Sequence, residues 1–164
     1  SYLITNFFDF SKVILNNKKI EFKKENIVEI LERSIVNYYD DFNKDSRRIN
    51  LDVINYKIEL ITNELMLMRV FENLIINAYK HSKSDLNIKI QTIKNKVRIE
   101  FINELEDKSL DVVQMFDEFY TEDISRTKEN TGLGLAIVKE FVQTLNGIIY
   151  AQKDSNLLNI VIEL

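Results

Sequence analysis

Apolar residues recur along this chain at two different spacings, one typical of helices and one typical of strands. The order in which segments of the two kinds follow one another limits the folds available to the chain. Helical spacing governs long stretches that begin near Asn26 and Glu64 and a shorter one at 133–145. Alternation of apolar and polar residues governs the stretches between them, which indicates strands with one wet face. Helices interspersed with antiparallel pairs predict an α+β fold, a two-layer α/β sandwich in which helices cover one face of a mixed sheet.

The turns between these stretches give the order of the predicted elements. The chain opens with the end of a longer helix at 2–15, and a polar run stops it. The next helix begins at Asn26, where Glu29 can complete a capping box. The remaining elements are strands near 49–53 and 56–60, a helix at 64–81, strands at 87–93 and 97–102, a helix at 133–145 ended by Gly147, and strands at 148–152 and 157–164.

Composition excludes several kinds of site and partner. The 164 residues suit one domain with a short extension, and their net charge of −4 argues against a module for duplex DNA. The chain has no cysteine, which excludes disulfides, thiol nucleophiles and zinc clusters. The basic pairs Lys18-Lys19 and Arg47-Arg48 are expected to be solvated surface. Nucleic acid is therefore not an expected partner.

One face of the helix at 64–81 carries a stripe of polar side chains. Arg69, Asn73, Asn77 and Lys80 recur three or four positions apart and so point the same way. A solvated amphipathic helix explains the pattern, but asparagine is a poor interior helix former, about 0.7 kcal/mol worse than alanine. Amide oxygens suit Mg²⁺ and a lysine one turn on suits phosphates. A magnesium and phosphate site is therefore the alternative interpretation.

The only histidine of the chain, His81, lies at the end of that helix. The helix dipole favours a cation there, and a structural role is the expected one. With neither a second histidine nor a cysteine in the chain, His81 is a poor candidate for a metal ligand.

The chain has three glycines and no proline, so each glycine marks a requirement of the backbone. Gly132 and Gly134 open the last predicted helix, where unpaired N–H groups and the helix dipole favour a phosphate. On its own, such a pair also serves as an ordinary turn. The polar stretch 122–130 before it suits a loop that closes over a ligand. Its Arg126 is either a phosphate ligand or a solvated side chain.

Three segments resemble, in their order and spacing, the N, F and G2 boxes of sensor histidine kinases, which belong to the GHKL superfamily. Three motifs in register are far more specific than any one of them. A fourth segment, near the first residue, is similar to the end of the second helix of that family's dimerization domain. The segments are Asn73-Leu-Ile-Ile-Asn77-Ala-Tyr-Lys80-His81-Ser82, Phe116-Asp-Glu-Phe119-Tyr120, Thr131-Gly132-Leu-Gly134-Leu-Ala-Ile-Val-Lys139 and Asp9-Phe10-Ser11-Lys12.

The resemblance implies a catalytic and ATP-binding domain of the Bergerat type at 19–164, preceded at 1–18 by the end of the dimerization and phosphotransfer helix. It implies that Asn77 ligates Mg²⁺. The catalytic residues it implies are Asn73, near the attacking group, and Lys80, which meets the phosphates. The ATP-binding residues it implies are Asn73, Asn77, Lys80, His81, Asn103, Arg126, Thr131, Gly132, Leu133, Gly134 and Leu135.

The implied activity is transfer of the γ-phosphoryl group of Mg-ATP to a histidine upstream of this chain; His81 is not that acceptor. The implied partners are the upstream dimerization and phosphotransfer domain of the same protein, a response regulator, and a second copy in a homodimer of the full-length kinase. No apolar run approaches the ~20 residues that span a bilayer. This segment is therefore expected to be soluble, and the resemblance implies that it is a cytoplasmic domain of a membrane-anchored sensor kinase.

One motif departs from the family's pattern. Where the G1 box reads Asp, any, Gly, any, Gly, this chain has Asn103-Glu-Leu-Glu-Asp107. Asn103 can still accept a hydrogen bond from the adenine amino group, without the charge that strengthens such bonds. The lost glycines make a degenerate, non-catalytic domain for docking or signal relay the alternative function. A serine kinase of the anti-sigma type is disfavoured by the F box and by the segment 9–12.

Overall fold

The computed structural model describes residues 20–106, 111–116 and 134–164. The predicted helix at 2–15 lies outside them. Within the described ranges the chain forms three helices and seven strands. Their order is β1 (Lys23–Asn26), α1 (Ile27–Lys44), β2 (Ile49–Val53), β3 (Glu59–Thr62), α2 (Glu64–His81), β4 (Leu86–Ile93), β5 (Lys96–Glu104), α3 (Gly134–Thr144), β6 (Ile148–Asp154) and β7 (Leu157–Glu163).

Five of the strands form one mixed sheet in the spatial order β2-β4-β5-β7-β6. β2 runs parallel to β4, with Ile49 opposite Leu86, and the other neighbours in this sheet are antiparallel. β1 and β3 pair separately as a short antiparallel ribbon. The predicted α+β sandwich with a mixed sheet is confirmed, and the ribbon is an addition that the apolar pattern does not indicate.

The core lies between the sheet and the helices. Alternate residues of β4 and β5 are buried on one face, where Phe101 of β5 meets Phe71 of α2 with ring centroids 6.1 Å apart. On the other face, Glu100 accepts hydrogen bonds from the side chains of Arg98 and Asn159. None of the described helices combines the length and the apolar composition that crossing a bilayer requires.

The start of α1 differs in detail from the predicted capping box. The Asn26 side chain accepts a hydrogen bond from the Val28 N–H at 3.2 Å, as an N-cap does. Glu29 accepts a hydrogen bond from the Asn26 side chain at 3.2 Å, whereas a capping box uses the backbone N–H. The Asn26 amide also donates to the Tyr56 carbonyl at 2.9 Å. Tyr56 lies in the loop before β3, which begins at Glu59 rather than near residue 56.

Arg47 is buried, so the prediction that it belongs to the solvated surface is wrong. It is 5 % exposed, and its guanidinium carbon lies 4.8 and 4.5 Å from the ring centroids of Phe42 and Tyr79. The guanidinium donates to the carbonyls of Tyr79, at 3.2 Å, and of Ser82. It also pairs with Asp45 at 3.2 Å. Arg47 therefore satisfies carbonyls at the end of α2 that no later N–H of the helix can reach.

The carboxylate of Asp45 interacts with Tyr79 as well as with Arg47, so Asp45, Arg47, Phe42 and Tyr79 form one cluster. The hydrogen bond of this carboxylate to the Tyr79 hydroxyl is the main cause that raises the pKa of that tyrosine above its usual value. Burial and the negative charge of Asp45 act in the same sense, while the positive charge of Arg47 opposes them. The cluster thus links the loop after α1 to the last turn of α2 through side chains of both signs.

The end of α3 also differs from the prediction that Gly147 terminates it. The helix ends at Thr144, and the residue with left-handed backbone is Asn146, with φ 62°. The Gly147 N–H donates to the Val142 carbonyl at 2.8 Å. A Cβ on Gly147 would lie 2.7 Å from the Glu163 carbonyl oxygen and 3.1 Å from Val142. The position therefore requires glycine because the backbone approaches β7 closely there.

Arg47→Ala is expected to lower the free energy of unfolding by about 3 kcal/mol, because buried carbonyls lose charge-assisted hydrogen bonds. Urea denaturation followed by circular dichroism measures the change. Arg48→Ala is the matched control, since Arg48 is exposed and its loss is expected to change stability by less than about 0.5 kcal/mol. Equal effects of the two substitutions would contradict the role given to Arg47.

Gly147→Ala is expected to lower the free energy of unfolding by about 1–3 kcal/mol, because the added methyl group overlaps atoms of β7 and α3. Gly134→Ala is the control. Its methyl group would meet Asn73 at 3.5 Å, an ordinary contact, so stability is expected to stay within about 0.5 kcal/mol. Thermal unfolding of both variants measures the difference, and a loss as large for Gly134→Ala would refute this account.

Candidate functional site

Helix α2 has the bounds that the sequence predicts, and its apolar side faces the core. Asn63 caps its first turn by accepting a hydrogen bond from the Met66 N–H at 2.9 Å. The Asn63 amide also donates to the Glu21 carbonyl at 2.9 Å, which ties the helix start to the chain before β1. The buried apolar side includes Leu67, Phe71, Leu74, Ile75 and Ala78.

The polar stripe of α2 passes from the interior to the surface. Asn73 is buried, Asn77 is half-buried one turn later, and Lys80 is exposed. Arg69, at the start of the stripe, pairs with Glu72 of the same helix at 3.1 Å. The two amides and the lysine therefore form a polar surface that begins inside the protein and opens outward.

Asn73 lies against the first residue of α3. Its amide nitrogen donates to the Arg69 carbonyl at 2.7 Å. Its amide oxygen lies 3.5 Å from the position that a Cβ would take on Gly134. The first turn of a helix has N–H groups without helical partners. The structure thus brings together two of the predicted elements, the amide stripe and the helix that begins with glycine.

Part of the predicted site lies outside the described residues. This applies to the predicted lid at 122–130 and to most of the F box, of which Phe116 is described and packs, partly buried, against the core. Leu135 is described and half-buried in the first turn of α3. The predicted ATP-binding residues outside the described ranges are Arg126, Thr131, Gly132 and Leu133.

Asn103 is a second buried amide in this region. It is 4 % exposed, and its Nδ2 has no hydrogen-bond partner in the part of the chain that the structure describes. Asn103 is two residues from Phe101 and therefore points to the same face of β5. Since Phe101 packs on Phe71 of α2, that face is the one covered by helices. The Asn103 amide therefore faces the layer between β5 and α2.

Two contacts show that α2 and β5 run in the same direction. The phenylalanine pair joins their middle parts, and the Glu106 N–H donates to the His81 carbonyl at 3.3 Å beyond the end of β5. Two strand residues advance about 7 Å, a little more than one helical turn. Asn103 therefore lies level with the turn of α2 that precedes Asn77, and His81 contributes its carbonyl to the border of the same region.

The segment that aligns with the G1 box is hydrogen-bonded to neighbouring loops. The Glu104 N–H donates to the Ser84 hydroxyl at 2.9 Å, and the Leu105 N–H donates to the Asn156 carbonyl at 2.7 Å. The side chain of Leu105, at the position of the first G1 glycine, is buried in the core. Asp107, at the second, lies outside the described residues. A leucine side chain thus packs in the core at a position where the G1 pattern has a glycine.

Arg47 stabilises the end of the helix that carries this site, although the sequence pattern assigned it to the solvated surface. Its carbonyl contacts at Tyr79 and Ser82 flank Lys80 and His81, the last residues of the stripe. One signal was available: Arg47 is two residues before Ile49 and so continues the alternation of β2, which places it in phase with inward-facing residues.

The sequence from 62 to 160 matches the family described as histidine kinase-, DNA gyrase B- and HSP90-like ATPases. The matched segment includes α2, Asn103 and the start of α3, which carry the geometry given above. Because the match extends over more than half of the chain, the chain belongs to this family.

Its curated relatives include sensor kinases. The chain is 28 % identical over 155 residues to the sensor histidine kinase YcbM of Bacillus subtilis, which covers 92 % of this chain and 50 % of that protein. It is 29 % identical over 157 residues to the sensor protein kinase WalK of Staphylococcus aureus, with 91 % and 25 % covered. The chain thus spans half or less of the length of these relatives. The resemblance drawn from the three boxes is confirmed.

Solved structures of histidine kinases share the fold. The nucleotide-free catalytic domain of ThkA has a TM-score of 0.77 at 20 % identity, over 88 % of this chain and 95 % of that one. Acinetobacter baumannii AdeS has a TM-score of 0.79 at 18 % identity, over 99 % and 76 %. Full-length ShkA in complex with AMPPNP has a TM-score of 0.79 at 15 % identity, over 99 % and 35 %.

Proposed function

We propose that this chain is the ATP-binding catalytic domain of a sensor histidine kinase, which transfers the γ-phosphoryl group of Mg-ATP to a histidine of an upstream domain. The observation that carries the proposal is the position of the buried Asn73 amide, whose oxygen would lie 3.5 Å from a Cβ added to Gly134 at the start of α3, in a chain of this ATPase family. Absence of a side chain on Gly134 leaves room for a phosphate near the first turn of that helix, where the dipole favours negative charge.

The described residues suit Mg-ATP in their chemistry. Asn77 is half-buried, and its amide oxygen is a hard, neutral ligand of the kind Mg²⁺ takes beside phosphates. Lys80 is exposed and can bring positive charge to the same phosphates. Asn73 would lie near the attacking group, and the unpaired Asn103 amide would meet the base. Positioning and charge neutralisation of this kind are what phosphoryl transfer mainly requires.

The proposal extends to the rest of the protein. Residues 1–18 are assigned to the end of a dimerization and phosphotransfer helix, on the strength of the segment 9–12, and residues 19–164 to the catalytic domain. Since the relatives named above are sensor kinases, the proposed partners are a response regulator and a second copy of the kinase. The domain is proposed to lie in the cytoplasm, within a kinase anchored in the membrane.

Titration calorimetry of this chain with a nonhydrolysable ATP analogue tests the proposal. Binding is expected to require Mg²⁺, and Asn77→Ala is expected to weaken it by about tenfold or more, because the cation loses a protein ligand. Asn43→Ala is the matched control, since Asn43 lies exposed on α1. If the folded wild-type chain fails to bind at millimolar analogue, the proposed function is wrong.

A second candidate function is a non-catalytic domain for docking or signal relay. It is favoured by Leu105, which occupies the core at the position of a G1 glycine. Autophosphorylation separates the two, with a longer form of the protein that includes the upstream helices. Transfer of label from the γ-position of ATP to a histidine supports the kinase, whereas nucleotide binding without transfer supports the docking domain.

A further inference from the structure

The end of helix α2 is held by groups from outside the helix. The final carbonyls of a helix have no later N–H of the same helix to bind, and helix ends fray unless other donors satisfy them. The guanidinium of Arg47 donates to the carbonyls of Tyr79, at 3.2 Å, and of Ser82. The Glu106 N–H donates to the His81 carbonyl at 3.3 Å. Of these donors, the arginine is the one that carries a charge and binds two carbonyls at once.

The surroundings of Arg47 leave its side chain few other positions. It is 5 % exposed, and its guanidinium carbon lies over the rings of Phe42 and Tyr79, 4.8 and 4.5 Å from their centroids. Asp45 pairs with it at 3.2 Å and balances its charge. A planar guanidinium presents its N–H groups in fixed directions, so one side chain can bind carbonyls that are three residues apart. Arg47 is therefore a rigid support for the end of α2.

The carbonyls that Arg47 binds lie on both sides of the phosphate end of the polar stripe. Tyr79 immediately precedes Lys80, and Ser82 follows two residues later. Lys80 is exposed and lies three residues after Asn77. It stays in line with the stripe only while the last turn is helical, because the alignment depends on the rotation of about 100° per residue. The contacts of Arg47 therefore keep the backbone of Lys80 in the stripe.

We propose that Arg47 is a positioning residue for nucleotide binding: it holds the end of α2 so that Lys80 meets the phosphates of Mg-ATP. The inference rests on the proposed function, in which Lys80 brings positive charge to those phosphates. It goes beyond that function because Arg47 is buried in the loop after α1 and lies before the segment matched to the ATPase family, which begins at residue 62.

A double-mutant cycle of Arg47→Met and Lys80→Ala tests the inference. A nonhydrolysable ATP analogue with Mg²⁺ is titrated calorimetrically into each variant, after circular dichroism has established that the variant folds. Methionine is long and flexible enough to keep the contacts with the two rings, and it removes the donors. Arg47→Met is expected to weaken binding by about threefold or more, and Lys80→Ala by about tenfold. The double variant is expected to bind as weakly as Lys80→Ala alone, because Arg47 acts through Lys80.

Ile30→Ala separates positioning from a general loss of stability. Ile30 is buried in α1, and the cavity left by the substitution is expected to lower the urea midpoint at least as far as Arg47→Met does. The folded Ile30→Ala chain is nevertheless expected to bind the analogue within about twofold of the wild type, since unfolding and binding are separate equilibria well below the midpoint. A loss of affinity as large as that of Arg47→Met would overturn the inference.

Arg47→Lys is the second variant, and it replaces Arg47→Met in the cycle if the latter does not fold. An ammonium keeps the positive charge but lacks the fork that reaches both carbonyls. A smaller loss of affinity than with Arg47→Met is expected, about twofold to threefold, and only in chains that retain Lys80.

Three results overturn the inference while the proposed function stands: an unchanged affinity of Arg47→Met, an unchanged affinity of Lys80→Ala, and losses that add fully in the double variant. Each of them presupposes that the wild-type chain binds the analogue. Failure of the folded wild-type chain to bind at millimolar analogue overturns the proposed function and the inference with it.

Discussion

The position of helix α2 over the sheet is the constraint on which the site depends. Asn63 fixes its start, the packing of Phe71 on Phe101 fixes its middle, and Arg47 holds the carbonyls of its last turn. With the core already filled by its apolar side, the opposite side is free to carry amides. A shift of one residue along the helix axis, about 1.5 Å, would rotate that polar side by about 100° and separate it from α3.

Local signals in the sequence predicted the helices better than the pairing between distant residues. The bounds of α2 and the existence of both long hairpins follow from spacing and turn residues, because such signals act within a few positions of the chain. The ribbon of β1 with β3 does not: β1 has the sequence Lys-Lys-Glu-Asn, and its pairing is set by residues far along the chain. Arg47 escaped prediction for the same reason, since its partner Tyr79 is thirty-two positions away.

The candidate site was predictable in its residue types but not in its states of burial. The spacing of Asn73 and Asn77 places them on one side of a helix, and the structure adds that Asn73 is buried against Gly134 while Asn77 is only half-buried. For Asn103 the sequence indicated a weakened contact to adenine. Its unpaired donor could not be predicted from the sequence, because burial depends on which elements pack around a strand.

The parallel pairing of β2 with β4 couples the site to the assembly of the sheet. Antiparallel neighbours can meet through a short turn, but parallel neighbours need a crossover, and here the crossover contains α2. β2 therefore docks at the sheet edge only when the helix has closed a long loop, which makes this a contact of high sequence separation. The pairing of β2 with β4 is therefore expected to form later in folding than the two hairpins of the sheet, whose strands are joined by short turns.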